Sequence, residues 1–217
     1  VVLTARDKAL WQAGRDVRAS LVIIPNIAPP VCKTPYDETS RTVLTVGRLT
    51  PQKGYDLLLA AWRMVEADAR SAGWSLLSRG DGPERDRLLQ AAEGLSRVML
   101  APATHQIEAE YRRAGLYVCS SRYEGFPMVL LEAASAGLPV VSFDFETGPA
   151  EIVEDGVSGV LVQPGDVLAL AEALLSLMEQ TEKRRTMSAM ARRKALEFQE
   201  ETVMARWMDL LSLPRDV

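Results

Sequence analysis

Two glutamates bracket the apolar stretch in EGFPMVLLE, which spans residues 124–132. Pro127 suits the first position of a helix, because its missing N–H would have no partner there. Glu124 is therefore predicted to lie in a loop, and Glu132 inside the helix that follows. Both carboxylates can then face one ligand lying across the helix start and accept hydrogen bonds from its hydroxyl groups.

The predicted helix start also offers an anion site. The first backbone N–H groups of a helix lack intrahelical partners and carry partial positive charge, which attracts phosphate. The predicted amide donors are those of Met128, Val129 and Leu130. The turn that presents them is formed by Gly125, Phe126 and Pro127, which are also predicted to contact the ligand. Carboxylates suited to hydroxyls, set beside amides suited to phosphate, indicate a nucleotide-sugar as the ligand.

A second pair of candidate residues lies in VGRLTPQKG, residues 46–54. Arg48 and Lys53 follow a β-branched, apolar run that ends at Gly47, and Gly47 is itself predicted to contact the ligand. Taken alone, two such cations would be surface charges more often than ligands. Their place on the loop that leaves the first strand of a repeating pattern favours phosphate binding, because ligands of such folds gather at strand exits.

The elements that must position these residues alternate between strands and helices from Thr42 onward, which is typical of βαβ units and a parallel sheet. Strands are predicted at 42–47, 74–78, 97–100, 116–120, 139–143 and 159–162. Helices are predicted at 53–70, 83–94, 105–114, 127–137, 149–154, 166–180, 182–199 and 200–213. The fold class is therefore α/β, a doubly wound, Rossmann-like sheet with helices on both faces.

Three regions are predicted. Residues 1–29 hold a strand, a helix, a second strand and a proline-rich connection, and they are interpreted as the remnant of a preceding domain with its hinge. Residues 30–181 form the nucleotide-sugar-binding domain, and 182–217 form helices packed on its flank. The chain also starts without methionine, so we expect a fragment of a longer protein.

Composition excludes several classes of function. The 217 residues are 47% hydrophobic and 25% charged, which fits one large globular domain, and the net charge of −4 argues against a nucleic-acid partner. Cys32 and Cys119 have no neighbours at metal-ligand spacing, so neither a metal nor a cofactor is expected. No apolar run reaches a membrane span and no signal peptide is apparent, so a cytoplasmic protein is expected.

Two basic runs, Lys183-Arg184-Arg185 and Arg192-Arg193-Lys194, recur at roughly helical spacing. A solvated helix face is the simpler interpretation. The alternative is peripheral contact with the inner face of an anionic membrane that carries a lipid-linked acceptor.

Four ordered motifs resemble the family 4 glycosyltransferases, which are retaining enzymes of the GT-B type. They are VGRLTPQKG (46–54), GDGPERDRL (80–88), SSRYEGFPMVLLEAASAGLPVVS (120–142) and TGPAEIVEDGVSGVLVQPGD (147–166). The resemblance covers roughly residues 20 to 180 and implies the C-terminal, donor-binding half of such an enzyme. GDGP taken alone is equally well explained as a strand-to-helix turn, where glycines serve backbone shape.

The resemblance implies a role for each candidate. Arg48 and Lys53 would neutralise the donor diphosphate, Glu124 would hold hydroxyls of the donor sugar, and Glu132 would hold the ribose. The donor would be a UDP- or GDP-sugar without a metal, with its base near Ala101 to Ala103, and the acceptor a glycan or a lipid-linked sugar. Closeness to bacterial enzymes of surface polysaccharide synthesis is expected.

Two alternatives stay open. A nucleotide-sugar epimerase or hydrolase of the same fold would use similar phosphate contacts. A non-catalytic nucleotide-binding module would keep the fold without the reaction.

Overall fold

Six parallel strands form one sheet in the computed structural model, which describes residues 1–14 and 19–212. The strands are β1 (Thr42–Val46), β2 (Ser75–Arg79), β3 (Val98–Ala101), β4 (Leu116–Cys119), β5 (Val140–Phe143) and β6 (Gly159–Val162). Their order across the sheet is β3-β2-β1-β4-β5-β6, and every neighbouring pair is parallel. The predicted doubly wound fold is confirmed.

Helices cover both faces of this sheet. They are α1 (Ala5–Gly14), α2 (Tyr55–Ala67), α3 (Arg85–Ala91), α4 (Ile107–Arg113), α5 (Met128–Ala136), α6 (Pro149–Ile152), α7 (Val167–Glu179), α8 (Thr181–Ala195) and α9 (Glu200–Ser212). Helix α2 packs against α3 and α7, whereas α5 packs against α4 and α8. Short 3-10 turns occupy Pro51–Lys53, Ala69–Ser71 and Leu196–Phe198.

The core lies between the sheet and these two helical layers. All residues of β4 and β5 are buried, as expected for central strands of a parallel sheet covered on both faces. Helix α2 contributes a stripe of apolar residues to this core, with Leu58, Trp62 and Val65 almost fully buried. Their spacing of three to four residues places them on one side of the helix.

Most element boundaries differ from the predictions by one to four residues, and two of these differences have a local structural cause. The helix predicted at 53–70 starts only at Tyr55, because Gly54 adopts a left-handed conformation with φ of 64° and separates α2 from the preceding 3-10 turn. The helix predicted at 182–199 ends as an α-helix at Ala195 and closes with the turn Leu196–Phe198. Residue 213, the predicted end of the last helix, lies outside the described residues.

The two strands predicted in the first 24 residues are reduced to a single bridge between Val2 and Ile23. Residues 15–18 lie outside the described residues. Helix α1 is tied to the sheet domain by polar contacts, since the Ala5 amide donates to Glu151 Oε1 over 2.7 Å and Arg6 pairs with Asp144 over 2.8 Å. The predicted division of the chain near residue 29 stays a prediction.

The basic residues of α8 mostly serve internal contacts. Arg184 is fully buried, donates to Leu177 O over 2.6 Å and lies 5.1 Å from the ring of Trp74. Other cations of the two runs are also engaged: Arg185 with Glu38, Arg192 with Thr34 O, and Lys194 with Glu197. Among the described residues this leaves Lys183 and Arg193 without partners, fewer than the about four cations of a lipid-binding cluster.

Within residues 1–14 and 19–212, no helix is both long enough and apolar enough to cross a bilayer.

Candidate functional site

The strand order reverses between β1 and β4, at the centre of the sheet. In sheets of this kind ligands bind outside the carboxyl ends of the strands at that point. The loops that follow β1 and β4 line a cleft of about 610 Å³ there. This cleft, called the switch-point cleft below, is lined by Gly47, Arg48, Thr50, Pro51, Gln52, Lys53, Tyr123 and Glu124. Four predicted site residues, Gly47, Arg48, Lys53 and Glu124, therefore share one cleft.

Lys53 and Glu124 form an ion pair within the switch-point cleft. Lys53 Nζ lies 2.5 Å from Glu124 Oε1, and the two side chains are only 19% and 11% exposed. The same carboxylate oxygen accepts a hydrogen bond of 2.7 Å from Ser121 Oγ. Among the residues that the structure describes, Glu124 Oε2 has only a long contact of 3.4 Å with Gln52 Nε2, so this oxygen is the one best placed to accept from a ligand.

Arg48 carries the uncompensated charge of this cleft. Within the described part of the chain its guanidinium makes no hydrogen bond or ion pair, and its side chain is exposed. Since Lys53 and Glu124 neutralise each other, the charged lining of the cleft sums to one positive charge. A small anion is the ligand that this arrangement attracts.

The two loops of the switch-point cleft are bonded to each other. Arg122 N donates to Gln52 O over 2.8 Å, and Ser120 Oγ donates to Lys53 O over 2.9 Å. Arg122 also pairs with both carboxylate oxygens of Asp56, at 2.9 and 2.7 Å. This ion pair holds the pKa of Asp56 below its usual value, chiefly through the hydrogen bond from Arg122. The spacing of Lys53 from Glu124 is thus fixed by the backbone around both residues.

Gly54 permits the close approach of these two loops. A Cβ atom at Gly54 would lie 2.0 Å from Ser120 O, closer than any side chain tolerates. Its left-handed backbone, with φ of 64°, also favours glycine. Gly54 therefore places Lys53 against the loop that carries Glu124.

The glycine-rich turn Gly80–Gly82 supports the same site from the side. Leu49 N donates to Asp81 O over 2.9 Å, and Glu84 N donates to Leu49 O over 3.0 Å. A Cβ at Gly82 would lie 2.4 Å from Leu49 O. The turn is therefore packed against the loop that carries Arg48, which is the structural role left open by the sequence.

Glu132 lies in a different cleft. It lines a cavity of about 580 Å³ between α4, α5 and the segment 29–34, called the α4–α5 cleft below. Its Oε2 atom accepts a hydrogen bond of 2.7 Å from the hydroxyl of Tyr111. One ligand that touches both glutamates must therefore extend from one cleft to the other.

The start of α5 differs from the prediction in its free amides. Met128 N donates to Phe126 O over 3.0 Å and Leu130 N donates to Pro127 O over 2.9 Å, so the prediction of three free amides is wrong for these two. In the described chain, only Val129 of the three has an amide without an acceptor. The cause is the tight turn before the helix, in which Pro127 stands as N-cap rather than as the first helical residue.

Two predicted contact residues of the same segment belong to the core. Leu130 is fully buried, and Phe126 is 9% exposed and packs 6.3 Å from the ring of Phe198. Their side chains pack in the core and present little surface to a ligand. Gly125 is exposed beside Glu124 and remains accessible.

Several residues of the site were missed by the sequence reasoning. Ser121, Gln52 and Arg122 lie inside the two loop motifs, so proximity to the predicted residues was their only signal. Tyr111 lies on α4, outside the quoted motifs, and nothing in its local sequence pointed to Glu132.

Volume alone does not single out the site, because a third cavity of about 620 Å³ lies beside α1 and β6. Its lining includes Asp144, Glu154 and Asp155, but also the Arg6 side chain that pairs with Asp144. Over residues 1–14 and 19–212, no group of three or more His, Cys, Asp or Glu side chains is arranged to hold a metal ion.

Comparison with known proteins identifies the family. The model of the family described as glycosyl transferases group 1 matches residues 32–194. Among curated proteins, the chain is 36% identical to an exopolysaccharide phosphotransferase of Streptomyces coelicolor, over 98% of this chain and 23% of that protein. It is 32% identical to the amylovoran biosynthesis glycosyltransferase AmsD of Erwinia amylovora, over 98% of this chain and 61% of that protein.

Solved structures show the same fold. A mutant of Staphylococcus aureus TarM, crystallised with UDP among other ligands, superposes with a TM-score of 0.88 at 25% identity, over 98% of this chain and 43% of that one. HepE of Anabaena in complex with UDP-glucose gives a TM-score of 0.71 at 27% identity, over 81% and 50% of the two chains.

The chain spans between 23% and 61% of the length of the two curated relatives described above. The match to the family model nevertheless covers most of the sheet, both loops of the switch-point cleft and helix α5. The chain belongs to the glycosyl transferases group 1 family.

Proposed function

We propose that this chain binds a nucleotide-sugar and that the protein containing it transfers the sugar, with retention of anomeric configuration, to a glycan or lipid-linked acceptor. The observation that carries this proposal is the cleft at the β1–β4 switch point, where Arg48, Lys53 and Glu124 meet with one net positive charge. The same cleft therefore holds cations that attract the diphosphate and a carboxylate that can accept hydrogen bonds from sugar hydroxyls.

Arg48 and Lys53 act on the diphosphate. When the bond between the anomeric carbon and the phosphate oxygen breaks, negative charge grows on the leaving diphosphate. Lys53, which its pairing with Glu124 holds in a partly buried position, stabilises that charge without rearrangement, and Arg48 adds a second positive charge beside it. Lys53 has three N–H donors, so it can bind phosphate while it remains paired with Glu124.

Glu124 orients the sugar. Its Oε1 atom is occupied by Lys53 and Ser121, which fixes the carboxylate and directs Oε2 toward the ligand. Glu132 binds the ribose from the α4–α5 cleft, and the nucleoside extends between the two clefts. We expect no metal at the diphosphate, because Arg48 and Lys53 can bind its charged oxygens directly.

UDP is the proposed nucleotide, with GDP as the competing choice. TarM and HepE, which share the fold, were crystallised with UDP or a UDP-sugar. Two relatives act in exopolysaccharide or amylovoran metabolism by name, which supports an acceptor of the bacterial surface-polysaccharide class. Neither relative is named as an epimerase or a hydrolase, so those alternatives gain no support.

The phosphotransferase name of one relative suggests a distinct reaction. Glycosyl transfer from a UDP-sugar releases UDP, whereas transfer of the sugar together with its phosphate releases UMP. Analysis of the nucleotide released by the whole protein separates the two, and the present proposal predicts UDP.

The donor is tested by calorimetric titration of the 217-residue chain with UDP, GDP and ADP, each with and without an attached sugar. We expect saturable binding of one nucleotide, and tighter binding when a sugar is attached. Binding of all three nucleotides with equal affinity, or of none by a folded sample, would contradict the proposal.

A further inference from the structure

The α4–α5 cleft contains a contact that the proposed roles do not use. Tyr111 donates its phenolic hydrogen to Glu132 Oε2 over 2.7 Å, and the two side chains line the same cavity. Tyr111 lies on α4 and is 3% exposed, whereas Glu132 lies on α5 and is half-buried. The hydrogen bond therefore runs from a buried donor to a carboxylate at the wall of the cleft.

Tyr111 is held rigidly in this position. Its ring stacks on that of Tyr117, with ring centres 5.7 Å apart and an angle of 30° between the planes. Tyr117 belongs to β4, in the centre of the sheet, and is itself buried. Burial raises the pKa of Tyr111 well above its ordinary value, and the nearby Tyr117 and Glu132 raise it further, so the phenol keeps its proton and acts as a donor.

Glu132 has one oxygen left for a ligand. Within the described ranges, Oε1 makes no hydrogen bond, while Oε2 is bonded to Tyr111. A glutamate side chain samples several rotamers when it is unrestrained, and fixing it on ligand binding costs affinity. A bond from a rigid donor removes that cost in advance.

We propose that Tyr111 is a positioning residue that fixes Glu132 so that its free oxygen accepts hydrogen bonds from the ribose hydroxyls of the bound nucleotide. This inference rests on the proposed function, because it takes Glu132 as the ribose-binding group. The inference itself is that the preference for a ribose over a deoxyribose depends on the Tyr111 hydroxyl, which acts through Glu132 and does not contact the ligand.

A purely structural role for Tyr111 makes a different prediction. If its hydroxyl only ties α4 to α5, its loss would weaken folding and would affect all ligands equally. A positioning role lowers affinity only for ligands that carry the hydroxyl which Glu132 binds. The ratio of two affinities therefore separates the roles.

The test uses Tyr111→Phe, which removes the hydroxyl and keeps the stacked ring. Dissociation constants of UDP, 2′-deoxy-UDP and 3′-deoxy-UDP are measured calorimetrically for the 217-residue chain. We expect the unaltered chain to prefer UDP over at least one deoxy analogue by about tenfold, as befits a hydrogen bond to a charged group. In Tyr111→Phe that preference should fall to about threefold or less, with the affinity for the deoxy analogue changed less than twofold.

Two further variants sharpen the result. Tyr36→Phe is the matched control, because it also loses a phenolic hydrogen bond, here to Gly115 O over 2.6 Å, but away from Glu132. Its preference should equal that of the unaltered chain. Glu132→Gln should reduce the preference as Tyr111→Phe does, and combining the two should reduce it no further, because both act through the same carboxylate.

The outcomes distinguish the inference from the proposed function. If the unaltered chain prefers UDP and Tyr111→Phe keeps the full preference, or loses affinity for all three ligands equally, the role of Tyr111 is overturned and the donor site stands. If the folded, unaltered chain binds none of the three, the proposed function itself has failed and the role of Tyr111 fails with it. Circular dichroism confirms that each variant is folded.

Discussion

At the scale of single residues, the pairing of Lys53 with Glu124 decides what the switch-point cleft can bind. The ion pair is partly buried and leaves Arg48 as the only unbalanced charge of the lining residues described above. Removing the carboxylate should therefore have opposite effects on the two halves of a nucleotide-sugar. The diphosphate meets more positive charge, while the sugar loses an acceptor.

Glu124→Gln tests this division of roles. The affinity for UDP should stay equal or rise by up to about fivefold, because Lys53 loses its counter-charge and the lining of the cleft gains one positive charge. The additional affinity that an attached sugar gives to the unaltered chain should disappear. Both constants are measured by calorimetry with UDP and the UDP-sugar preferred by the unaltered chain.

Glu179→Gln is the control, because it makes the same change on the exposed end of α7. A large loss of UDP affinity in Glu124→Gln would show that the carboxylate supports the diphosphate site rather than the sugar.

At the scale of elements, the close contact between the loops after β1 and β4 sets the site. Gly54 lies in that contact. Its backbone is in the left-handed region, and Ser120 O lies 2.0 Å from the position that a Cβ atom would take. Gly165 has a similar backbone, with φ of 81°, but open space around it. The two glycines separate the cost of the backbone conformation from the cost of the steric clash.

Gly54→Ala should therefore damage both stability and binding. Gly165→Ala is expected to lower the free energy of unfolding by about 1 kcal/mol, which is the cost of placing an alanine in the left-handed conformation. Gly54→Ala should cost at least about 2 kcal/mol more, because the loops must separate. Denaturant unfolding measures both values.

UDP affinity should fall tenfold or more only in Gly54→Ala, since separation of the loops moves Lys53 away from Glu124. Equal stabilities of the two variants would show that the loops are not held in contact.

The ion pair between Arg122 and Asp56 links the same two loops, and its effect should depend on pH. Because Arg122 lowers the pKa of Asp56 in the folded state, the pair stabilises the fold above the unfolded pKa of about 3.9. That stabilisation is lost as the pH falls through the lowered folded value. With side chains 38% and 33% exposed, its size should be below about 1 kcal/mol.

Asp56→Asn is compared with the unaltered chain by urea unfolding at several pH values. The difference in the free energy of unfolding should be constant between pH 7 and pH 5, and it should shrink as the pH is lowered below the unfolded pKa of about 3.9. Asp209→Asn, on the exposed face of α9, should show no such trend. A difference that persists unchanged at low pH would rule out the ion pair as its cause.

At the scale of the whole molecule, the topology was predictable and the local bonding was not. Alternating apolar runs and amphipathic segments identified all six strands of the sheet, because each βαβ unit repeats the same pattern of burial. The predicted fold placed Arg48 and Glu124 after the carboxyl ends of two strands, and the structure adds that these strands, β1 and β4, are neighbours. Sequence could not show that Lys53 pairs with Glu124, or that Glu132 faces another cleft, since these depend on side-chain directions across separate elements.

The free amides predicted at α5 illustrate the same limit. Pro127 was predicted as the first helical residue but stands one position earlier, as the N-cap, and the turn before the helix uses two of the three amides. Hydrogen bonds within an irregular turn leave no periodic trace in the sequence. Phe126 and Leu130 were predicted to contact the ligand through the backbone at the helix start, and the structure shows that their side chains fill the core.

The extent of the chain also bears on its activity. It covers 43% of the TarM chain and 61% of AmsD, so we propose that the acceptor is bound by parts of the whole protein outside these residues. The 217-residue chain should then bind the donor without transferring its sugar. Product analysis with a competent acceptor checks this, and sugar transfer by the chain alone would contradict it.

The most direct test of the donor site is removal of its two cations. UDP binding is measured by calorimetry for the Arg48→Ala, Lys53→Ala double variant and for Lys183→Ala, Arg193→Ala, which removes the same charge from α8. Loss of two charge-assisted contacts should weaken binding at least a hundredfold in the first variant, at about 1.5–3 kcal/mol for each contact. The second variant should stay within about twofold of the unaltered chain. Similar affinities in the two variants would mean that the nucleotide does not bind in the switch-point cleft.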